Sequence, residues 1–221
     1  MPAKLDTSKI LQVKFPETQY YKEEHPKKQV VIHHTVSGSN PTNVINAWIT
    51  NTERVATAFV IGGDGTIAQA FSSKHWAHHL GLKKPNNTLL NQQSVGIEVC
   101  NWGGITEKDG KFYTAYNKEI SKDLIIDYGK TWRGYRYFHK YTAVQIESLR
   151  QLLVYLCDTY KISKEYHPTM WDLNEEALSG KSGVFTHVSY RADKSDMHPQ
   201  VELVEMLKGL GVTSDLSTGS R

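Results

Sequence analysis

Apolar positions along the chain fall into short β-branched runs and a few longer stretches with helical spacing, separated by polar, lysine-rich segments. Gln29 to Thr35 has the character of an extended strand, and Asn40-Pro41-Thr42 then offers a turn and a helix start. Val44, Ile45, Trp48 and Ile49 recur at helical spacing, which predicts a short helix with one buried stripe. Thr57 to Ile61 and Thr66 to Ala70 flank Gly62-Gly-Asp-Gly65, whose glycines permit the positive φ angles of a tight turn, so a hairpin is predicted there. Ser94 to Cys100 reads as a central strand, unusual in carrying a glutamate, Glu98, among Val95, Ile97 and Val99. Thr142-Ala-Val-Gln145 is a capping-box signature ahead of Leu149, Leu152, Leu153 and Leu156, predicting a long helix. A last helix is expected from near Pro199 through Val201, Val204 and Leu207, ending at Gly209 or Gly211.

Strands interleaved with helices make this an α/β chain, and 221 residues suit one well-buried domain. Residues 1–28 are polar and read as an N-terminal arm, 29–211 as the folded domain, and 212–221 as a loose tail. Residues 101–141, rich in tyrosine and lysine, form an insertion too long for an irregular connection in a compact domain. Such a segment is either a functional loop or concealed secondary structure.

A formal charge of +3 is far from the clustered Lys/Arg stripe of a nucleic-acid binder, so no nucleic-acid partner is expected. No run is long and apolar enough for a membrane span, and the amino terminus lacks the apolar core of a secretory signal. Synthesis in the cytoplasm is the corresponding expectation, with export or release by another route. Cys100 and Cys157, the two cysteines, each sit in an apolar run and read as buried free thiols.

The candidate chemistry lies in His33-His34 and in the run from His187 through Lys194 to Asp196. Two histidines and a carboxylate from distant segments are a ligand set that leaves a fourth position open on a catalytic zinc. Adjacent strand residues face opposite ways, so only one of His33 and His34 can enter a given site, and the residues alone leave both open. A lone strand histidine is more often a hydrogen-bonded structural residue. Glu98 has two readings, a strand carboxylate paired with a nearby cation or a general base raised in pKa by burial. Lys194 is a candidate to stabilise an oxyanion.

The segments Val30 to Thr35, Ala58 to Gly65, Ala77-His78, Asn91 to Glu98 and His187 to Asp196 resemble, in order, the type-2 N-acetylmuramoyl-L-alanine amidases, a family that includes phage endolysins, wall-recycling amidases and peptidoglycan recognition proteins. The resemblance spans roughly residues 29–207. It implies a mixed central β-sheet packed by helices, with zinc at one end of a substrate groove. It picks His33, His187 and Asp196 as zinc ligands and Glu98 and Lys194 as catalytic residues. It further implies hydrolysis of the amide between N-acetylmuramic acid and L-alanine in peptidoglycan or muropeptides.

His78 and Asn91 stand at groove-lining positions of similar proteins, and Trp102, Trp132 and Tyr135 are candidate sugar-stacking aromatics, so His78, Asn91 and Trp102 are expected to bind substrate. The chain departs from the family pattern at Thr186, where a glycine is usual, and at Met197-His198-Pro199, where Pro-Gly commonly follows the aspartate. Thr57 stands where some relatives carry a catalytic tyrosine, which shifts proton transfer toward Glu98. Other members carry cysteine at the position of Asp196. A monomeric phage lysin or related wall hydrolase is expected. The rivals are a recognition module without catalysis and a zinc peptidase acting within the stem peptide.

Overall fold

In the computed structural model, which describes residues 3–211, the chain forms two β-sheets with helices packed against the larger one. The larger sheet takes β1 (Leu11–Gln12), β2 (Gln29–His34), β3 (Phe59–Ile61), β4 (Ile67–Gln69), β5 (Ser94–Val99) and, from much later in the chain, β11 (Gly183–Thr186). Their order across the sheet is β1-β4-β3-β5-β2-β11. The sheet is mixed: β3 and β4 run antiparallel as the expected hairpin, and the other neighbours run parallel. β2 sits near the centre and all six of its residues are buried, as a parallel strand covered on both faces requires.

The predicted helices form. α1 (Pro41–Trp48) is capped by Asn40, whose Oδ1 accepts from the backbone N–H groups of Thr42 and Asn43. α3 (Ala143–Tyr160) opens with the reciprocal capping box of Thr142 and Gln145, and buries Leu149, Leu152, Leu153 and Leu156. α5 (Val201–Gly209) packs against α3. Two short helices went unpredicted, α2 (Asn87–Gln92) and α4 (Glu175–Leu178). Along residues 3–28, Ile10 and Phe15 are buried in the main core and Leu11–Gln12 pairs with β4. The expected tail, 212–221, lies outside the described residues.

Of the two readings left open for 101–141, the structure selects secondary structure. The segment supplies β6 (Gly104–Lys108), β7 (Lys111–Tyr113), β8 (Glu119–Ile120), β9 (Ile125–Trp132) and β10 (Tyr135–His139). They form an antiparallel sheet in the order β8-β7-β6-β10-β9, so the domain has a second sheet beside the expected central one. Two tight turns make it possible: Asp109-Gly110 and Arg133-Gly134 both hold positive φ at their two central residues, the twist that suits two-residue hairpins. Ile105, Phe112 and Ile125 give this sheet its own small core.

The second sheet braces the segment that carries His187 and Asp196. Tyr128 OH lies 2.8 Å from His198 Nδ1, while Arg133 donates to the Ala192 carbonyl at 2.6 Å and to Asp172 at 2.5 Å. Between the sheets, His34 Nδ1 meets Tyr141 OH at 2.9 Å, and the ring of His198 stacks on that of Tyr141. The larger sheet thus presents the carboxyl ends of β2, β5 and β11 together, where parallel α/β sheets commonly hold their ligands.

Candidate metal centre and catalytic cleft

β2 and β5 run parallel with His33 opposite Glu98, and β11 ends at Thr186, directly before His187. Strand alternation sends the side chain of His33 into the site and that of His34 to the opposite face, toward Tyr141. His33 Nδ1 stands 3.2 Å and His187 Nδ1 2.8 Å from the same atom, Asp196 Oδ2. All three residues are at least nine-tenths buried.

Hydrogen bonding on the far side of each ring fixes what these nitrogens offer. His187 Nε2 is 2.9 Å from the Leu80 carbonyl, which only accepts, so Nε2 carries the proton and Nδ1 presents a lone pair. For His33 the assignment passes through two more residues. Ser94 Oγ spends its proton on the Leu90 carbonyl at 2.7 Å, so His79 Nε2 donates to Ser94 Oγ at 2.8 Å. His79 Nδ1 is then an acceptor for His33 Nε2–H at 3.1 Å, and His33 Nδ1 also faces Asp196 as a lone pair.

Three electron-rich atoms therefore converge with no proton assigned between them, and their ligand atoms fit within 4.8 Å of one another. Such a cluster calls for a cation. Two imidazole nitrogens and a carboxylate oxygen are a donor set suited to zinc, and with bonds of 2.0–2.1 Å, neighbouring ligands of a tetrahedral zinc stand about 3.3 Å apart. The two separations to Asp196, 3.2 and 2.8 Å, need little adjustment, and the two imidazole ligand atoms lie within 4.8 Å of one another. These residues fit a metal ion.

The charge each residue carries follows from its surroundings. Burial holds His33 neutral, with its pKa down at about 4, the nearby His187 acting in the same direction. Burial also keeps His79 well below the usual imidazole range. At Asp196, burial alone would raise the pKa, but a proton or positive charge on His187, and then on His33, outweighs it and holds the carboxyl ionised, well below the usual carboxylate range; with both Nδ1 atoms as lone pairs, a bound cation would take over that role.

Glu98 behaves in the opposite sense. Its side chain is only partly shielded overall, yet Oε2 is closed off from solvent and has no hydrogen-bond partner among the described residues. Burial, and secondarily the charge of Asp196, push its pKa well above the usual value, while Lys194 pulls the other way. An unpartnered carboxyl with a raised pKa is suited to accept a proton and return it.

His33, Glu98, His187, Lys194 and Asp196 all line one cleft of about 440 Å³, which His78 also lines. His78 is half-buried, edge-on to Trp76 with ring centres 5.3 Å apart. Two expected substrate contacts fall elsewhere. Asn91 is fully buried, and its Oδ1 accepts from the backbone N–H groups of His79 at 2.8 Å and Leu80 at 3.2 Å. It holds the segment that carries His79 and the Leu80 carbonyl. Trp102 does not line the catalytic cleft; its ring lies edge-on to Tyr116 at 6.2 Å. Thr57 lines the cleft, with its hydroxyl donating to the Phe59 carbonyl at 2.9 Å.

His79 and Ser94 were not among the expected site residues. His79 is masked by its histidine neighbours, and the role of Ser94 depends on a contact between segments 15 residues apart.

Comparison with known proteins agrees with this geometry. The N-acetylmuramoyl-L-alanine amidase family model matches residues 23–199, and the chain belongs to that family. Among solved structures it is similar to PlyL, at 14% identity and a TM-score of 0.55, over 92% of this chain and 99% of that one. It is also similar to a mutant endolysin from Bacillus subtilis, at 14% identity and TM-score 0.52, over 92% and 98% of the two chains. A third is an AmpD derivative, at 14% identity and TM-score 0.52, over 93% and 96%. At such identities the likeness is one of fold. No curated protein sequence matches.

Proposed function

We propose that the chain is a zinc-dependent amidase that cuts peptidoglycan between the lactyl group of N-acetylmuramic acid and L-alanine, acting on the bacterial wall as a lysin does. The observation that carries this reading is the convergence of three lone pairs, from His33, His187 and Asp196, beside an unpartnered Glu98 in an open cleft. Membership of the amidase family supports the choice of bond, and the fold shared with an endolysin supports the choice of setting.

His33, His187 and Asp196 would hold the ion. When bound, zinc would supply Lewis acidity, polarising the scissile carbonyl and making water a stronger nucleophile at neutral pH. Glu98 takes a proton from the attacking water and delivers it to the leaving nitrogen of L-alanine. Its raised pKa suits both transfers, since a base too weakly basic could not accept and one too strongly basic could not return the proton. Lys194 lines the same cleft, forms no ion pair within 4 Å among the described residues, and offers its ammonium to the developing oxyanion. Thr57 Oγ, committed to the Phe59 carbonyl, leaves proton transfer to Glu98.

Mass spectrometry of the products from purified peptidoglycan tests the reading. Free stem peptides that begin with L-alanine, released without a chelator and not with one, are expected. Cuts between stem residues would assign a peptidase, and wall binding without cleavage by the zinc-loaded protein would assign a recognition module.

A further inference from the structure

A second cleft, of about 490 Å³, opens directly beside the catalytic one, and Thr35, Val36 and Trp48 line both. Thr35 follows β2 by one residue, two beyond His33, so the shared wall begins at the metal centre itself. Val36 holds a positive φ of 50°, a conformation that a β-branched residue rarely adopts and that surrounding structure must impose. The rest of the lining comes from the loop Ser37 to Asn40, from α1, and from Tyr116 on the turn between β7 and β8.

The chemistry of the two clefts differs sharply. Apart from the Tyr116 phenol, every ionisable side chain that lines either cleft belongs to the catalytic one. The second cleft offers aromatic faces from Trp48 and Tyr116, with the hydroxyl of Ser39 and the amide of Asn43. Those last two groups and Tyr116 OH make no side-chain hydrogen bond among the described residues. Tyr116 is 71% exposed, the most exposed large hydrophobic residue among those described, and Trp102 supports it edge-on from behind. An aromatic held out over a neutral cleft with free donors and acceptors needs a ligand that is uncharged, flat-faced and rich in hydroxyl and acetamido groups. A stem peptide, with its free carboxylates, finds no cationic partner there.

We propose that this second cleft is a saccharide subsite: it holds N-acetylated sugar rings of the glycan strand, one of them stacked on Tyr116, so that the glycan leaves the catalytic centre past Thr35 and Val36. The subsite deepens the amidase reading and rests on it for the identity of the glycan. It makes Tyr116, from the second sheet, a determinant of preference for polymeric wall over single-sugar fragments.

The test is calorimetric titration of the full, zinc-loaded chain with tetra-N-acetylchitotetraose, for the wild type and for Tyr116→Ala and Asn43→Ala. The subsite requires saturable binding by the wild type that each substitution weakens at least five-fold, with zinc content unchanged. Absence of binding by the wild type, or equal binding by all three proteins, overturns it. Binding of free stem peptide that Tyr116→Ala abolishes overturns it in favour of a peptide occupant. Release of stem peptides that begin with L-alanine from polymeric peptidoglycan by the wild type is scored separately. Saccharide binding through Tyr116 without such cleavage would sink the amidase reading and keep the subsite, and cleavage without saccharide binding would do the reverse.

Discussion

His33 Nε2 donates to His79 Nδ1 across 3.1 Å, and His79 in turn is anchored by Ser94. That contact decides that His33 Nε2 carries the proton, so that Nδ1 faces Asp196 as a lone pair. Outer partners that fix the tautomer of a ligand histidine are typically worth about 10- to 100-fold in metal affinity. His79→Ala is therefore expected to weaken zinc binding by about that factor while the protein stays folded. Nitrogen NMR of His33 in the metal-free variant should show loss of the single Nε2–H tautomer; an unchanged tautomer and affinity would free His33 of this control.

Glu98→Gln is expected to retain zinc, because Glu98 is outside the converging ligand set, and to lose turnover by about 10²- to 10⁴-fold, the usual worth of a general acid–base group. Near-normal turnover with zinc bound would remove Glu98 from the mechanism.

The pH dependence has a definite sign. Glu98 must be ionised to accept a proton, and its pKa is raised by burial and then by Asp196. Activity is expected to fall on acidification at a pH above the ordinary carboxylate range, and the residual activity of Glu98→Gln should lack that limb. A limb in the ordinary carboxylate range for the wild type would contradict the raised pKa.

Stability should also depend on pH, through His34, on the other face of β2. Burial lowers its pKa from 6.5 to about 4. A histidine held neutral in the fold but free to charge when unfolded contributes stability that is intact above 6.5 and lost as pH falls toward 4. The expected slope is about 1.4 kcal/mol per pH unit for each such group. Urea unfolding between pH 7 and 5 should show it, and His34→Gln should flatten the slope by about that amount. An unchanged slope would mean that His34 already takes up its proton in the folded state.

Arg133 ties the β9–β10 turn to the Ala192 carbonyl and to Asp172. Removing it with Arg133→Ala should speed amide exchange in residues 190–196 and lower zinc affinity, with the larger sheet unaffected. Exchange rates identical to the wild type would show that the second sheet does not steady the ligand segment.

Much of this was legible in the chain itself, for physical reasons that differ by element. The hairpin at Gly62 to Gly65, the capped helix at Thr142 and the buried run at Gln29 all carry local signals, and each forms as read. The Asp109-Gly110 turn carries an equally strong hairpin signal, but the tyrosine and lysine richness around it leaves both a functional loop and concealed secondary structure open, since the strands there are short and half exposed. The five residues drawn from the family pattern as ligands and catalysts meet in one cleft. Asn91 and Trp102 do not join them there, because a polar or aromatic residue at a given position can serve backbone or core as readily as substrate, and only packing decides. The His33–His79–Ser94 chain was hidden for the same reason: its three members come from separate segments that only the sheet brings together.

The central claim is that His33, His187 and Asp196 form one metal centre, and calorimetric titration of zinc into chelator-stripped protein tests it most directly. The account predicts one tightly bound ion per chain in the wild type and loss of that binding in His187→Ala. Failure of the wild type to take up zinc, or full uptake by His187→Ala, would contradict it.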